Sequence, residues 1–549
     1  MSPARSVATV ALLAACGCLL AATRPPAATS DNDQARIVAA VNRLTWGARP
    51  GEIEAIEKLG LKKWLDQQLH PEKIQEDPDL AARLDPLTSL RMTPAELIAS
   101  YPDGGAIRQM AMGKRPLPQD PELRAIVERE VAKFRARKDG SADPAANTAM
   151  AAPGPRLQPA QLPLAQARDV IYQRQPQQIP AFDLQAGKLL RAVYTRRQLV
   201  DVLTDFWFNH FNIYLRKGEE PELIASFERD AIRPHVLGKF HDLLLATAES
   251  PAMMFYLDNW QSVDPRVNKR GINENYGREL MELHTLGVDT GYSQQDVIAV
   301  ARCFTGWTIR QPGRQATFFY NDRLHDHGAK VVLGQKIAAG GGMSDGLKVL
   351  DILARSPATA HHISYELAQR FAADDPPPAL VDRMTRAYLG SDGDLRKVLQ
   401  AMLSAPEFWQ AAESRDKIKS PLEMVVSALR GVNAEVTNPM VLTQIIAAMG
   451  EPLYGKEPPT GYANTGAEWV SSSGLVSRMQ FAQRLASGRL PGVQVNWPTL
   501  TAGGPVGLAT LLLHEPLSPA SQSVVDTIPA ERTQEWAALV MGGPQFQKR

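Results

Sequence analysis

The run Asp394-Leu395-Arg396-Lys397-Val398-Leu399-Gln400-Ala401-Met402-Leu403 decides the fold class. Leu395, Val398, Leu399, Met402 and Leu403 stand at i, i+3, i+4, i+7 and i+8, which places them on one side of a helix. Asp394, just ahead of them, is the residue type that caps first-turn amides. Upstream, Ile363, Leu367 and Phe371 repeat the spacing. Ser293-Gln294-Gln295-Asp296 has the form of a capping box, with Asp for the usual Glu, and opens a helix through Phe304. Strand signals are confined to Thr317 to Tyr320, and to Lys330 to Leu333 with Gln335 to Ile337 across Gly334. Strands and helices do not alternate as a parallel sheet requires, and no fixed repeat is seen. The sequence therefore predicts an all-α (mainly helical) fold with a small inserted β-ribbon near residues 316–338.

Working outward, the first residues of the chain carry one basic side chain, Arg5, followed by an apolar run from Val7 to Ala22. The run is short for a spanning helix and fits the h-region of a signal peptide over residues 1–30, so export is expected, to the periplasm, the outer membrane or the medium. Leu13-Ala14-Ala15-Cys16 has the form of a lipobox, which would make a lipoprotein; ordinary cleavage between Ala22 and Ser30 is the alternative. No later segment has the roughly 20 apolar residues of a membrane span. Residues 31–102 read as an N-terminal helical segment, with Arg49-Pro50-Gly51 breaking the helices between Gln34 and Leu69. Residues 103–180 read as an insertion or linker, its 139–166 stretch rich in Ala, Pro, Gly and Gln and without apolar period. Residues 181–549 read as the main helical domain.

Composition excludes several function classes. The net charge of +1 gives no field to gather nucleic acid or anionic membrane. Of three cysteines, Cys16 and Cys18 lie in the leader, which leaves Cys303 alone, without disulfide or cysteine-zinc chemistry and in a pattern that suits a buried thiol. No H-E-x-x-H or Walker A motif occurs. Gly342-Met343-Ser344-Asp345-Gly346 matches the nucleophile-elbow string, but no core strand precedes it, and Ser344 is expected to cap a helix starting at Asp345. Asp289 to Asp296 lacks EF-hand spacing and reads as a turn.

Two segments stand apart. In Asp205-Phe206-Trp207-Phe208-Asn209-His210-Phe211-Asn212, a helix would bring Asp205, Asn209 and Asn212 to one side, with aromatic residues around most of the rest. In Asn275-Tyr276-Gly277-Arg278-Glu279-Leu280-Met281-Glu282, the same offsets bring Asn275, Glu279 and Glu282 together. Buried polar stripes are costly unless partners satisfy them. One reading turns both stripes toward a single cavity, with Glu279 and Glu282 as an acid beside a base, or as ligands of a divalent cation such as Ca²⁺, and with Asp205, Asn209, Asn212 and Asn275 binding substrate. The other leaves Glu274, Arg278 and Glu282 as a solvated ion-pair ladder, and Asn209 and Asn212 satisfying backbone groups. His284 lies away from Glu279 and Glu282 unless the helix ends early, and His210 reads as a core histidine. His325-Asp326, in a loop before the ribbon, is a candidate for acid–base or metal work as well as an ordinary turn. Trp207, Trp260 and Trp307 suit sugar stacking, though cores hold tryptophan more often.

The same segments carry a likeness. The chain resembles the domain-of-unknown-function 1800 family of exported bacterial proteins. The matching stretches include Arg43-Leu44-Thr45-Trp46-Gly47, Phe206 to Asn212, Arg233-Pro234-His235, Tyr256-Leu257-Asp258-Asn259, Asn273 to Asp289, Thr305-Gly306-Trp307, His325-Asp326, and Lys417 with Pro421-Leu422-Glu423. Departures are the 139–166 insertion and Gly277, where the family pattern has alanine. The resemblance implies a helical exported protein and no established activity; it also implies a co-encoded exported sulfatase-like partner, an association and not a mechanism. Two functions follow as expectations: cleavage of an envelope or extracellular polymer such as a polysaccharide by a hydrolase or lyase using Glu279 and Glu282, or a non-enzymatic periplasmic or surface factor assisting a partner protein.

Overall fold

The Leu395–Leu403 segment is helical, and Asp394 caps it by accepting from the Lys397 amide at 3.2 Å. It packs on helix Pro378–Gly390, which packs on Pro357–Phe371, so the apolar stripes of the three close on one another. The Ser293 capping box is formed and opens helix Gln294–Cys303. The computed structural model describes residues 31–138, 158–267, 269–288, 290–529 and 531–549. The leader, the Cys16 lipobox, Asp289 and residues 139–157 lie outside them.

Helix Pro421–Gly431 is buried along its whole length and lies against Ile179–Tyr194, itself buried at most positions. Both belong to one apolar core that draws on residues from Ile37 to Phe546. The N-terminal helices Asp31–Leu44, Glu52–Leu59 and Leu61–Leu69 contribute to that same core, so 31–102 and 181–549 bury their apolar faces together. Residues 103–180 carry helices Gly104–Ala111, Pro121–Lys138 and Leu164–Arg174, the first two around a satellite cluster of Ile107, Met110, Leu123, Val127 and Val131. Among the described residues no helix is long and apolar enough to cross a membrane.

The β structure is slightly larger than expected. Thr317–Tyr320 pairs antiparallel with Trp307–Arg310, a strand the sequence did not announce, and Lys330–Val332 pairs with Gln335–Ile337. A third two-stranded piece joins Glu435–Val436 to Val493–Gln494. The fold is mainly helical with small β-ribbons.

Two local expectations change. Helix Ser344–Ala354 has Met343 at its cap position, and the Ser344 hydroxyl donates to the Gly341 carbonyl at 2.7 Å, so Ser344 caps no amide. Gly346 is small because the Trp307 indole lies against it: a β-carbon there would meet the ring at 2.7 Å. Gly346 thus answers to packing, and Gly342 to a backbone turn at φ +62°. The helix carrying the first polar stripe is Gln198–His210, and it stops two residues short of Asn212.

Candidate functional site

Around Asn209 the chain leaves a polar cleft with two lobes. Phe206, Asn209, Tyr462, Ala463 and Asn464 line both. The floor is helix Gln198–His210; the roof is the segment from Glu451 to Trp469, rich in proline and glycine and mostly without regular structure. Asn209 fastens roof to floor. Its Nδ2 donates to the Tyr462 carbonyl at 2.8 Å, and the Tyr462 amide donates to its Oδ1 at 2.7 Å. Asn212 donates to the carbonyls of Lys456 at 2.9 Å and Pro458 at 2.8 Å. At Gly461, φ is +65°, and a β-carbon would come within 2.3 Å of the Asn209 carbonyl, so the close approach needs glycine. The amides proposed from sequence as substrate-binding groups are therefore engaged with main chain, and they position the roof.

The inner lobe, about 60 Å³, has room for a few waters and no more. Lys188 Nζ lies 2.5 Å from Asp205, and Arg370 and Arg549 share Glu423 at 2.5 and 3.0 Å. Burial pushes the Glu423 carboxyl up, but the two guanidiniums and the Ser420 amide pull it down to about 2. Glu451 moves the opposite way. Burial, with Asp205 nearby, raises it to about 8 although the Leu422 amide donates to it at 2.8 Å. The lobe therefore holds carboxyl groups at opposite ends of the scale, one ionised and one neutral at pH 7.

The outer lobe is larger, about 260 Å³, and carries His210, Glu282, His362, Glu366, Gln369 and Thr460. His210 Nδ1 sits 2.6 Å from Glu366 Oε2, and its Nε2 donates to the His284 carbonyl at 3.2 Å. That carbonyl is available because the second stripe's helix, Asn275–Glu282, ends before His284. Burial pushes the Glu366 carboxyl up, but His210 beside it, with a further contribution from His362, holds it below the usual glutamate range. His362 is pushed down by burial and lies 3.7 Å from Glu366, with its Nε2 donating to the Leu283 carbonyl at 3.3 Å. Glu282, half-buried, has no hydrogen-bond or ion-pair partner among the described residues.

The sequence candidates separate into groups. Asp205, Asn209 and Asn212 line the inner lobe, Asn209 lines the outer one as well, and of the second stripe Glu282 alone reaches the outer lobe. Glu279 does not line it; burial and then Glu282 raise its carboxyl. Asn275 is exposed, and its side chain donates to the Leu257 carbonyl at 3.4 Å. His325 and Asp326 are buried in a separate knot: His325 Nε2 lies 3.2 Å from Asp345, Lys330 bonds Asp345 at 2.5 Å, and Asp326 takes Arg302 at 2.7 Å and Arg266 at 3.0 Å. These partners hold the loop in place. Trp307 is fully buried against Phe304 and Phe318, with no face for a sugar. Among the described residues no three His, Cys, Asp or Glu side chains are arranged to hold a metal ion. Burial pushes the Cys303 thiol up to about 12, which makes it a poor nucleophile.

Sequence reading missed Glu366, His362 and Glu451. Glu366 stands one turn after His362, on the helix whose Ile363-Leu367-Phe371 stripe was taken as core, and that i, i+4 pair was the available signal. Glu451 sits in an aperiodic loop and had none.

Near Tyr256 lies an unusual acid. Glu220 is fully buried, with neither carboxyl oxygen partnered, and burial raises it well above its ordinary value. The folded chain keeps this proton, whereas the unfolded chain releases it above about 4.5. Glu220 therefore favours folding at low pH and opposes it increasingly as pH rises. Glu220→Gln is expected to raise the melting temperature, by little near pH 4 and by more at each step toward pH 9. Differential scanning calorimetry across that range checks it; a gain independent of pH would show the carboxyl to be solvated.

Fold and site together define a class: a mainly helical protein with a two-lobed polar cleft under a pinned loop. The chain belongs to the family described as protein of unknown function (DUF1800), whose model matches residues 39–548. That span contains every lining residue of the cleft except Arg549. No curated protein and no solved structure matches the chain.

Proposed function

We propose that this is an exported hydrolase or lyase that cleaves an envelope or extracellular polymer in the outer lobe. One observation carries the reading: Glu366 opens into a cavity large enough for a substrate residue while His210, behind it, keeps it ionised. An ionised carboxylate in a half-dry pocket is a general base. In hydrolysis it takes a proton from water as the water oxygen attacks; in elimination it takes a proton from carbon as the leaving group departs. Glu282, on helix Asn275–Glu282, faces the same space and has its carboxylate free to hold the substrate. His210 touches no substrate and acts by positioning Glu366.

A second reading also has support. Helices Ser472–Ala486 and Thr533–Gly542 leave a groove of about 720 Å³ lined by Val476, Met479, Ile528 and Leu539, and Val476 and Met479 are half exposed or more. Apolar exposure of this kind suits a partner protein, in keeping with a non-enzymatic factor. One assay separates the two. Wild type and Glu282→Gln are compared on a panel of envelope and extracellular polysaccharides and peptidoglycan, by release of reducing ends or of unsaturated products. Expected is wild-type cleavage of one class, with KM raised by about tenfold or more in Glu282→Gln and an unchanged melting temperature. No cleavage by wild type on any polymer overturns the assignment and favours the groove; cleavage with equal KM in the variant removes Glu282 from substrate binding.

A further inference from the structure

The two lobes differ in electrical character. The inner lobe sets Lys188, Arg370 and Arg549 against the carboxyl groups of Glu423 and Asp205. Among the described residues, those lining the outer lobe include no lysine or arginine. The lobe's acidic side chains are Glu366, paired with His210, and Glu282, which has no ion-pair partner among the described residues. Glu279, one turn back on the same helix, adds to the negative field at Glu282 and supplies no cation. Arg278 on that helix is engaged with Glu274 at 3.3 Å and Gln294 at 2.9 Å.

A half-buried carboxylate without a cation, facing a cavity, is strongly selective. It repels a uronate or sulfate and rewards a ligand that brings its own positive charge. The rest of the lining indicates the body of that ligand. Gln369, Thr460 and Asn464 offer hydrogen-bonding groups on one side, and Leu283 and Val288 present carbon on another, the mixture that a hydroxylated ring with an apolar face requires.

We infer that the residue bound in the outer lobe is an amino sugar with a free, protonated amine, held through its ammonium group by Glu282. The inference rests on the cleft being the substrate site proposed above, and it narrows the substrate class to de-N-acetylated glycans.

Isothermal titration of the full mature chain tests it, with glucosamine, N-acetylglucosamine, glucuronate and propylamine as probes. Expected is binding of glucosamine at least about tenfold tighter than of N-acetylglucosamine, glucuronate or propylamine. Glu282→Gln should erase that preference and Glu282→Asp should keep part of it. N-acetylglucosamine or glucuronate binding as tightly as glucosamine, no glucosamine binding, or an unchanged preference in Glu282→Gln each overturns the inference. Propylamine matching glucosamine overturns the sugar assignment. The underlying enzyme reading fails separately: it falls if Glu366→Gln retains full cleavage of whatever polymer wild type degrades, including a neutral one.

Discussion

Glu366→Gln is expected to lower kcat on the cognate polymer by about 10²–10⁴-fold, while unfolding free energy changes by no more than about 1–2 kcal/mol. The variant keeps its fold because the glutamine side-chain amide can donate to His210 Nδ1, now 2.6 Å from Glu366 Oε2, while Nε2 goes on donating to the His284 carbonyl. It loses only the capacity to take a proton. The companion change His210→Asn separates positioning from chemistry. With the imidazole gone, burial is the larger remaining influence on Glu366 and moves its carboxyl upward. The acidic limb of the pH–rate profile, where the base becomes protonated, should then shift to higher pH, with partial recovery of rate at alkaline pH. Steady-state kinetics from about pH 4 to about pH 9 on both variants make the comparison. A Glu366→Gln protein with wild-type kcat removes the base from the mechanism, and an unmoved limb in His210→Asn removes the positioning role.

The largest structural loss is expected at Glu423→Gln, about 3–5 kcal/mol of unfolding free energy near pH 7. Glu423 is buried at the start of helix Pro421–Gly431, accepts from the Ser420 amide at 2.9 Å, and neutralises Arg370 and Arg549. A neutral amide leaves two guanidiniums in the core with one counter-charge fewer, the costly half of breaking a buried pair. The pH dependence has a definite sign. The folded carboxyl lies near 2, below its unfolded value near 4.5, so its stabilisation is complete above about 4.5 and is lost as pH falls toward about 2. Urea unfolding at about pH 7 and at about pH 3 should show the wild-type advantage shrinking at the lower pH. An advantage equal at both would mean that the network is held by packing, with charge secondary.

Much of this molecule was legible in its residues, for identifiable reasons. The stripe of Leu395, Val398, Leu399, Met402 and Leu403 and the caps at Asp394 and Ser293 are local signals, and they formed as read. Glu282 was legible because a carboxylate beside an apolar stripe stands out, and Asp205, Asn209 and Asn212 because polar side chains among Phe206, Trp207 and Phe208 need partners. What those partners were could not be read. Asn209 finds the main chain of Tyr462, His210 finds Glu366, and Glu423 finds Arg549, all pairings between distant segments with no local trace. His325 and Asp326 show the converse: a loop position suggested freedom, and Lys330, Arg302 and Asp345 bury it. Glu279 and Glu282 are three residues apart on one helix, about 300° around it, yet only Glu282 lines the cleft.

The reciprocal bonds between Asn209 and Tyr462 bear on when the protein becomes competent. They join positions 253 residues apart, so closing that ring is the step that gives the cleft its ceiling. A growing chain has no such ceiling until residue 462 has left the ribosome, so the cleft takes its shape only after most of the polypeptide has been made.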